Sequence, residues 1–189
     1  MIKLSDLEDK YGDLPVAVLG GGPSLPLHVE QLPTLLPVAA VIAVNSHALR
    51  YMTCDYMVFL DGPDSGGWQH HADMISDAEA EYVRVSPLSQ YSDVDINVPY
   101  WHNAGFSGGF ATWLACYLTR GPVILGGMDL YQGDDKYPYV GPPIRQGMHS
   151  TVRSQLKSWE PAIRECRNSD RILVMGGPLV RFFKPCYPM

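Results

Sequence analysis

The sequence has no apolar run near the ~20 residues that a membrane-spanning helix requires. It has no Cys-x-x-Cys pair. None of its four cysteines (Cys54, Cys116, Cys166 and Cys186) stands at zinc-ligand spacing from a histidine, which removes the common zinc-site patterns. Basic residues are scarce, 14 against 20 acidic, giving a net charge of −6. That balance disfavours a general affinity for nucleic acid, whose phosphates demand a basic face. Met1 to Lys10 is charged and lacks the apolar stretch of a secretion signal, so the expectation is a cytoplasmic protein with four free thiols.

Apolar material is plentiful. Hydrophobic residues make up 46% of 189, enough for one core, and the expectation is a single domain over residues 1–189. Continuous apolar runs predict strands at Val16 to Leu19, Val38 to Val44, Tyr56 to Leu60, Tyr82 to Val85, Val123 to Leu125 and Ile172 to Met175. Helices are expected over Leu27 to Leu36, Ser46 to Met52, Ser65 to Ile75, Ser107 to Leu118 and Met148 to Arg167. Ser24 and Ser107 are expected as helix caps, and Pro161 should kink or divide the long helix. Pro87 to Phe106 and Asp129 to Gly147 read as loops. The apolar end, Val180 to Cys186, either folds back on its own sheet or packs on a second copy of the chain.

Alternating strands and helices predict an α/β fold of Rossmann-like design: a mostly parallel sheet with helices on both faces. Ligands of such sheets bind at the carboxyl ends of the strands. Four motifs should open on that edge. Gly20-Gly21-Gly22-Pro23-Ser24 allows backbone N–H groups to approach a phosphate or ribose, although it lacks the G-x-G-x-x-G fingerprint and a Walker lysine. The bland alternative is a tight strand-to-helix turn. Asn45 and Asp61 end buried strands and are candidates for a base, a ribose or, at Asp61, a divalent cation. As caps they would need no ligand. Ser107 and Gly108 open a helix whose free N–H groups suit an anion. Gly126 to Tyr131, which contains Asp129, completes the edge.

His149 is a candidate general base beside Arg145 and Arg153. His47 and His102 border the binding edge, His70-His71 lies in a doubtful helix, and His28 is expected on the surface. Tyr131 and Tyr137, with Lys136 between them, are either ordinary loop residues or donors to a leaving phosphate.

VLGGGPSL at 18–25, AVNS at 43–46, FLD at 59–61, SGGFATWLACYL at 107–118, ILGGMDLYQ at 124–132 and MHS at 148–150 occur in a familiar order. Together they resemble the bacterial CMP-sialic-acid-dependent sialyltransferases of the lipooligosaccharide type. They equally resemble the broader MptE-like family, which includes archaeal hydroxymethylpterin pyrophosphokinases and Maf-type flagellin-modification proteins.

The sialyltransferase resemblance implies a nucleotide held by Gly20, Gly22, Pro23, Ser24 and Asn45. It places the donor sugar beside Ser107 and Gly108, the leaving phosphate on Tyr131 and Tyr137, and the general base at His149, with no metal. It therefore implies a nucleotide-activated sugar as donor and inverting transfer to an acceptor hydroxyl. Three positions depart from the pattern: Gly21 where an asparagine stands, Asp61 in place of a second asparagine, and Ala104 in place of a basic residue. Asp61 is closer to the MptE-like branch, which implies Mg²⁺–ATP and a pyrophosphokinase, with Asp129 as a second carboxylate. A non-catalytic nucleotide-binding module is the third expectation.

Overall fold

The computed structural model describes residues 2–61, 69–88, 91, 93–98, 106–130 and 152–186. Among these residues eight strands form one sheet: β1 (Val16–Leu19), β2 (Ala40–Val44), β3 (Tyr56–Val58), β4 (Val83–Ser86), β5 (Ile96–Asn97), β6 (Val123–Gly126), β7 (Ile172–Val174) and β8 (Lys184–Pro185). Their order is β5-β4-β3-β2-β1-β6-β7-β8. Every pairing is parallel, with Val16 beside both Ala40 and Val123. The chain thus builds outward from β1 to β5 on one side, then returns to β6 on the other. The reversal falls between β1 and β6.

Among the described residues four α-helices cover the sheet: α1 (Leu25–Leu35), α2 (Gln69–Ser76), α3 (Ser107–Leu118) and α4 (Val152–Glu165). Successive strand residues point to opposite faces. Val16 and Val18 of β1 meet Phe110, Ala111, Leu114 and Trp159 of α3 and α4. Ala17 and Leu19 meet Leu25 and Leu32 of α1 on the other face. Burial on both faces is why these strands read as continuous apolar runs. Together the parallel sheet and its two helical layers make a Rossmann-like α/β fold.

Helix α3 is the spine of one layer. Gly109 lets it approach α4, for a Cβ there would come within 2.8 Å of the Ala162 Cβ. Trp159 of α4 is 1% exposed, its ring centroid 5.0 Å from that of Phe106 and 6.1 Å from that of Phe183. The carboxyl end of α3 is closed by Arg171, whose guanidinium donates to the carbonyls of Cys116 (2.8 Å), Gly121 (2.6 Å) and Thr119. A cation on orphan carbonyls satisfies both the hydrogen bonds and the helix dipole.

Several expectations are corrected. β5 and β8 were not foreseen, because each is a two-residue edge strand without an apolar run. β5 lies within the stretch expected to be loop. Residues 46–52 contain only a short 3-10 turn at Ala48–Arg50. Pro161 does not divide α4, which continues to Glu165. Ser24 stands at the capping position of α1 as expected but makes no side-chain cap bond, whereas the capping position before α3 is Phe106, with Ser107 already helical. The C-terminal segment folds back on its own sheet, with Leu179 and Phe183 buried and β8 paired to β7. All four cysteines are free thiols. No helix among the described residues is long and apolar enough to cross a membrane.

Candidate functional site

The strand order reverses between β1 and β6, and sheets of this kind usually bind their ligands in the crevice outside the carboxyl ends of the strands at such a reversal. Two glycine loops meet there. Gly20 N–H donates to the Gly126 carbonyl and Gly22 N–H to the Gly127 carbonyl, each at 2.8 Å. Asp129 Oδ2 then accepts the Ser24 N–H at 2.8 Å and the Ser24 hydroxyl at 2.7 Å. The turn that aims Asp129 depends on Gly127, at φ +62°, a conformation that favours glycine.

The three glycines of the first loop are each required by the protein itself. A Cβ on Gly20 would come within 2.6 Å of the Gly127 carbonyl oxygen, and one on Gly21 within 2.5 Å of the His47 ring. A Cβ on Gly22 would strike Asp129 Oδ2 and lie 2.8 Å from the Gly127 oxygen. The count of glycines therefore reflects loop packing, and close approach to a ligand is not needed to explain it.

The flanking motifs line the same edge. Asn45 follows β2 in a left-handed conformation, φ +55°, and its N–H donates to the Val58 carbonyl at 2.8 Å. Asn45 Oδ1 and the Ser46 hydroxyl are buried without a hydrogen-bond partner among the described residues. Ser107 is 7% exposed, and its hydroxyl accepts the Leu60 N–H at 3.3 Å, tying the start of α3 to the end of β3. Met128 links the loops to this helix: its sulfur lies 2.7 Å from a Cβ built on Gly20 and 3.5 Å from one on Gly108.

Asp61 is exposed beyond β3, and its carbonyl accepts from His71 Nε2 at 2.9 Å. Asp61 and Asp129 follow strands three places apart, roughly 14 Å at ordinary strand spacing. Among the described residues no three His, Cys, Asp or Glu side chains gather as a metal site. These carboxylates do not by themselves fit a shared Mg²⁺.

Tyr131, Lys136, Tyr137, Arg145 and His149 lie outside the described residues, as do His102 and Ala104. Arg153 is an exposed residue of α4. The structure thus joins Ser24 and Gly22 directly to Asp129, with Gly20, Gly21 and Pro23 in the same loop. It places Asn45, Asp61, Ser107 and Gly108 along the same edge.

His28 corrects its expectation: it is 5% exposed, under α1 against β6. Its Nδ1 accepts the Gly127 N–H at 2.9 Å and lies 3.2 Å from the Ser24 hydroxyl. Gly126 makes room for it, since a Cβ there would lie 3.3 Å from the His28 Cβ. Burial holds the His28 pKa below the ordinary histidine value, against the opposing pull of Asp129. Sequence reasoning placed His47 at the border of this edge, where its ring packs against Gly21, but missed His28 and Met128 as site components. One signal was present for His28: its four-residue helical spacing from Ser24.

No family model matches the chain, and comparison with curated proteins finds no match. Among solved structures, it is similar to that of the MAf glycosyltransferase from Magnetospirillum magneticum AMB-1, with a TM-score of 0.52 and 14% sequence identity. The similarity covers 95% of this chain and 34% of that one, so the chain spans about a third of its neighbour's length. At this identity the likeness is one of fold: the two share a Rossmann-like α/β architecture.

Proposed function

We propose that the crevice binds the nucleotide of an activated sugar and that the chain, as one domain over residues 1–189, transfers that sugar to an acceptor hydroxyl. The observation that carries the reading is a pair of buried polar atoms at the binding edge, Asn45 Oδ1 and Ser46 Oγ, which lack partners among the described residues. Leaving such groups unsatisfied costs about 1–3 kcal/mol each, and the hydrogen-bonding edge of a nucleotide would offset that cost. The helix α3 N-terminus, with Ser107 and Gly108, supplies positive dipole for phosphate. The fold shared with a glycosyltransferase supports the same class.

The roles follow the sequence resemblance. His149 takes the proton of the acceptor hydroxyl as its oxygen bonds to the anomeric carbon. The bond from that carbon to the phosphate oxygen breaks with inversion. Tyr131 and Tyr137 donate hydrogen bonds to the departing phosphate. Sialic acid, CMP and a sialyltransferase specificity belong to this proposal.

Thermal unfolding with CMP, UDP, GDP, ADP and ATP, each with Mg²⁺ and with a chelator, tests the binding step. Stabilisation without metal supports the reading and selects the donor for transfer assays. Full transfer by His149→Ala would remove the assigned base. Exposed Asp61 favours a second reading, an MptE-like pyrophosphokinase, for which stabilisation would require ATP together with Mg²⁺. Binding without turnover of any donor would identify a non-catalytic module.

A further inference from the structure

His28 touches the loops that leave three neighbouring strands. Its Nδ1 meets Gly127 after β6 and Ser24 after β1. Its Nε2 lies 3.6 Å from a Cβ built on Gly176, after β7. Proton accounting fixes the ring. A backbone N–H can only donate, so the Nδ1 facing Gly127 carries a lone pair and the ring hydrogen sits on Nε2. The single hydroxyl hydrogen of Ser24 goes to the shorter, charge-assisted contact with Asp129 Oδ2.

We infer that His28 is the positioning residue of the crevice: by accepting the Gly127 N–H it fixes the left-handed turn after β6 and so sets Asp129 against Ser24. The property it contributes is the Nδ1 acceptor rather than bulk. Protonation would replace that acceptor with a donor facing another donor, and the turn would loosen. Asp129 is the charged group that acts on the ring, and desolvation opposes it more strongly. As a statement about ligand binding, this inference rests on the nucleotide reading above. As a statement about the loops, it does not.

Two variants separate acceptor from bulk. His28→Asn keeps an amide oxygen near the Nδ1 position, whereas His28→Leu keeps volume without an acceptor. Amide hydrogen exchange is followed by NMR for the wild type and both variants, without ligand. In His28→Leu the Gly127 amide is expected to exchange about tenfold faster, the loss of one net hydrogen bond, while Ile124 within β6 is unchanged. In His28→Asn it stays close to wild type. The wild-type ring nitrogens should report hydrogen on Nε2 at neutral pH. Unchanged Gly127 exchange in His28→Leu, or hydrogen on Nδ1 in the wild type, overturns the inference. If His28→Leu fails to fold, the ring spectrum and His28→Asn still decide it: loss of Gly127 protection in His28→Asn counts against the acceptor role.

The same proteins are then titrated with CMP. Weakened binding in His28→Leu that is restored in His28→Asn extends the role to the ligand. If the wild type binds neither CMP nor the other nucleotides, the nucleotide reading falls, while the ligand-free exchange result stands on its own.

Discussion

Asp129 holds Ser24 through one carboxylate oxygen, which receives both the backbone N–H and the hydroxyl of that residue. Hydrogen bonds to a charged acceptor contribute about 1.5–3 kcal/mol each when buried, and Asp129 is only half-buried. Asp129→Ala is expected to lower unfolding free energy by about 1–3 kcal/mol, and Asp129→Asn, which keeps an acceptor oxygen, by less. Urea denaturation of the three proteins measures this order. An Asn variant no better than Ala would show that the charge, rather than the acceptor, holds the loop.

The first glycine loop separates two kinds of crowding. At Gly21 an added methyl meets the His47 ring, a side chain that can be removed. At Gly22 it meets Asp129 and the Gly127 backbone oxygen, which cannot be removed without dismantling the loop. Overpacking of this kind costs about 1–3 kcal/mol. Gly21→Ala should therefore be partly rescued by His47→Ala, whereas Gly22→Ala should not be. A double-mutant cycle in chemical denaturation gives the coupling.

Two buried histidines make the protein sensitive to mild acid. The pKa values of His28 and His71 are both lowered, in each case mainly by burial. Below about pH 6.5 the unfolded chain binds protons that the folded chain refuses. Stability is therefore full above that pH, falls as pH drops through it, and levels off below the folded-state values. Melting temperatures from pH 8 to pH 5 check the sign, and His28→Asn should flatten part of the slope.

Arg171 offers a fourth test of the scaffold. Its guanidinium replaces the missing partners of the α3 carboxyl end, with bonds to Cys116, Thr119 and Gly121. Arg171→Ala should destabilise the fold by about 2–3 kcal/mol, the range for truncating a charged, multiply bonded group. Lysine should recover only part of this, because an ammonium cannot reproduce the planar fork. Circular dichroism melts of the two variants provide the comparison.

The central strands were legible because burial on both faces leaves an uninterrupted apolar word, as in VILG at Val123–Gly126. Edge strands were not: Lys184–Pro185 carries no apolar run, and its pairing with β7 depends on where the chain returns. That the strand-end motifs share one edge of the sheet was also legible. What the sequence hid was partnership. Nothing local says that Gly22 is small because Asp129 stands against it, or that His28 points under α1 to a turn after β6. Both are long-range facts. Ser107 shows the same limit, since its hydroxyl serves Leu60 rather than its own helix.

The seam between β1 and β6 also has a history in time. Ser24 and the carboxylate that holds it are 105 residues apart. Translation at about 5–20 residues per second would separate their appearance by roughly 5–20 s. During that interval the glycine loop has neither Asp129 nor Gly127 to close it, and forming the contact then requires closing a long loop. The two walls thus cannot meet until the second has been made, 105 residues after the first. A molecule recognising both walls would select the chains in which Ser24 and Asp129 had met.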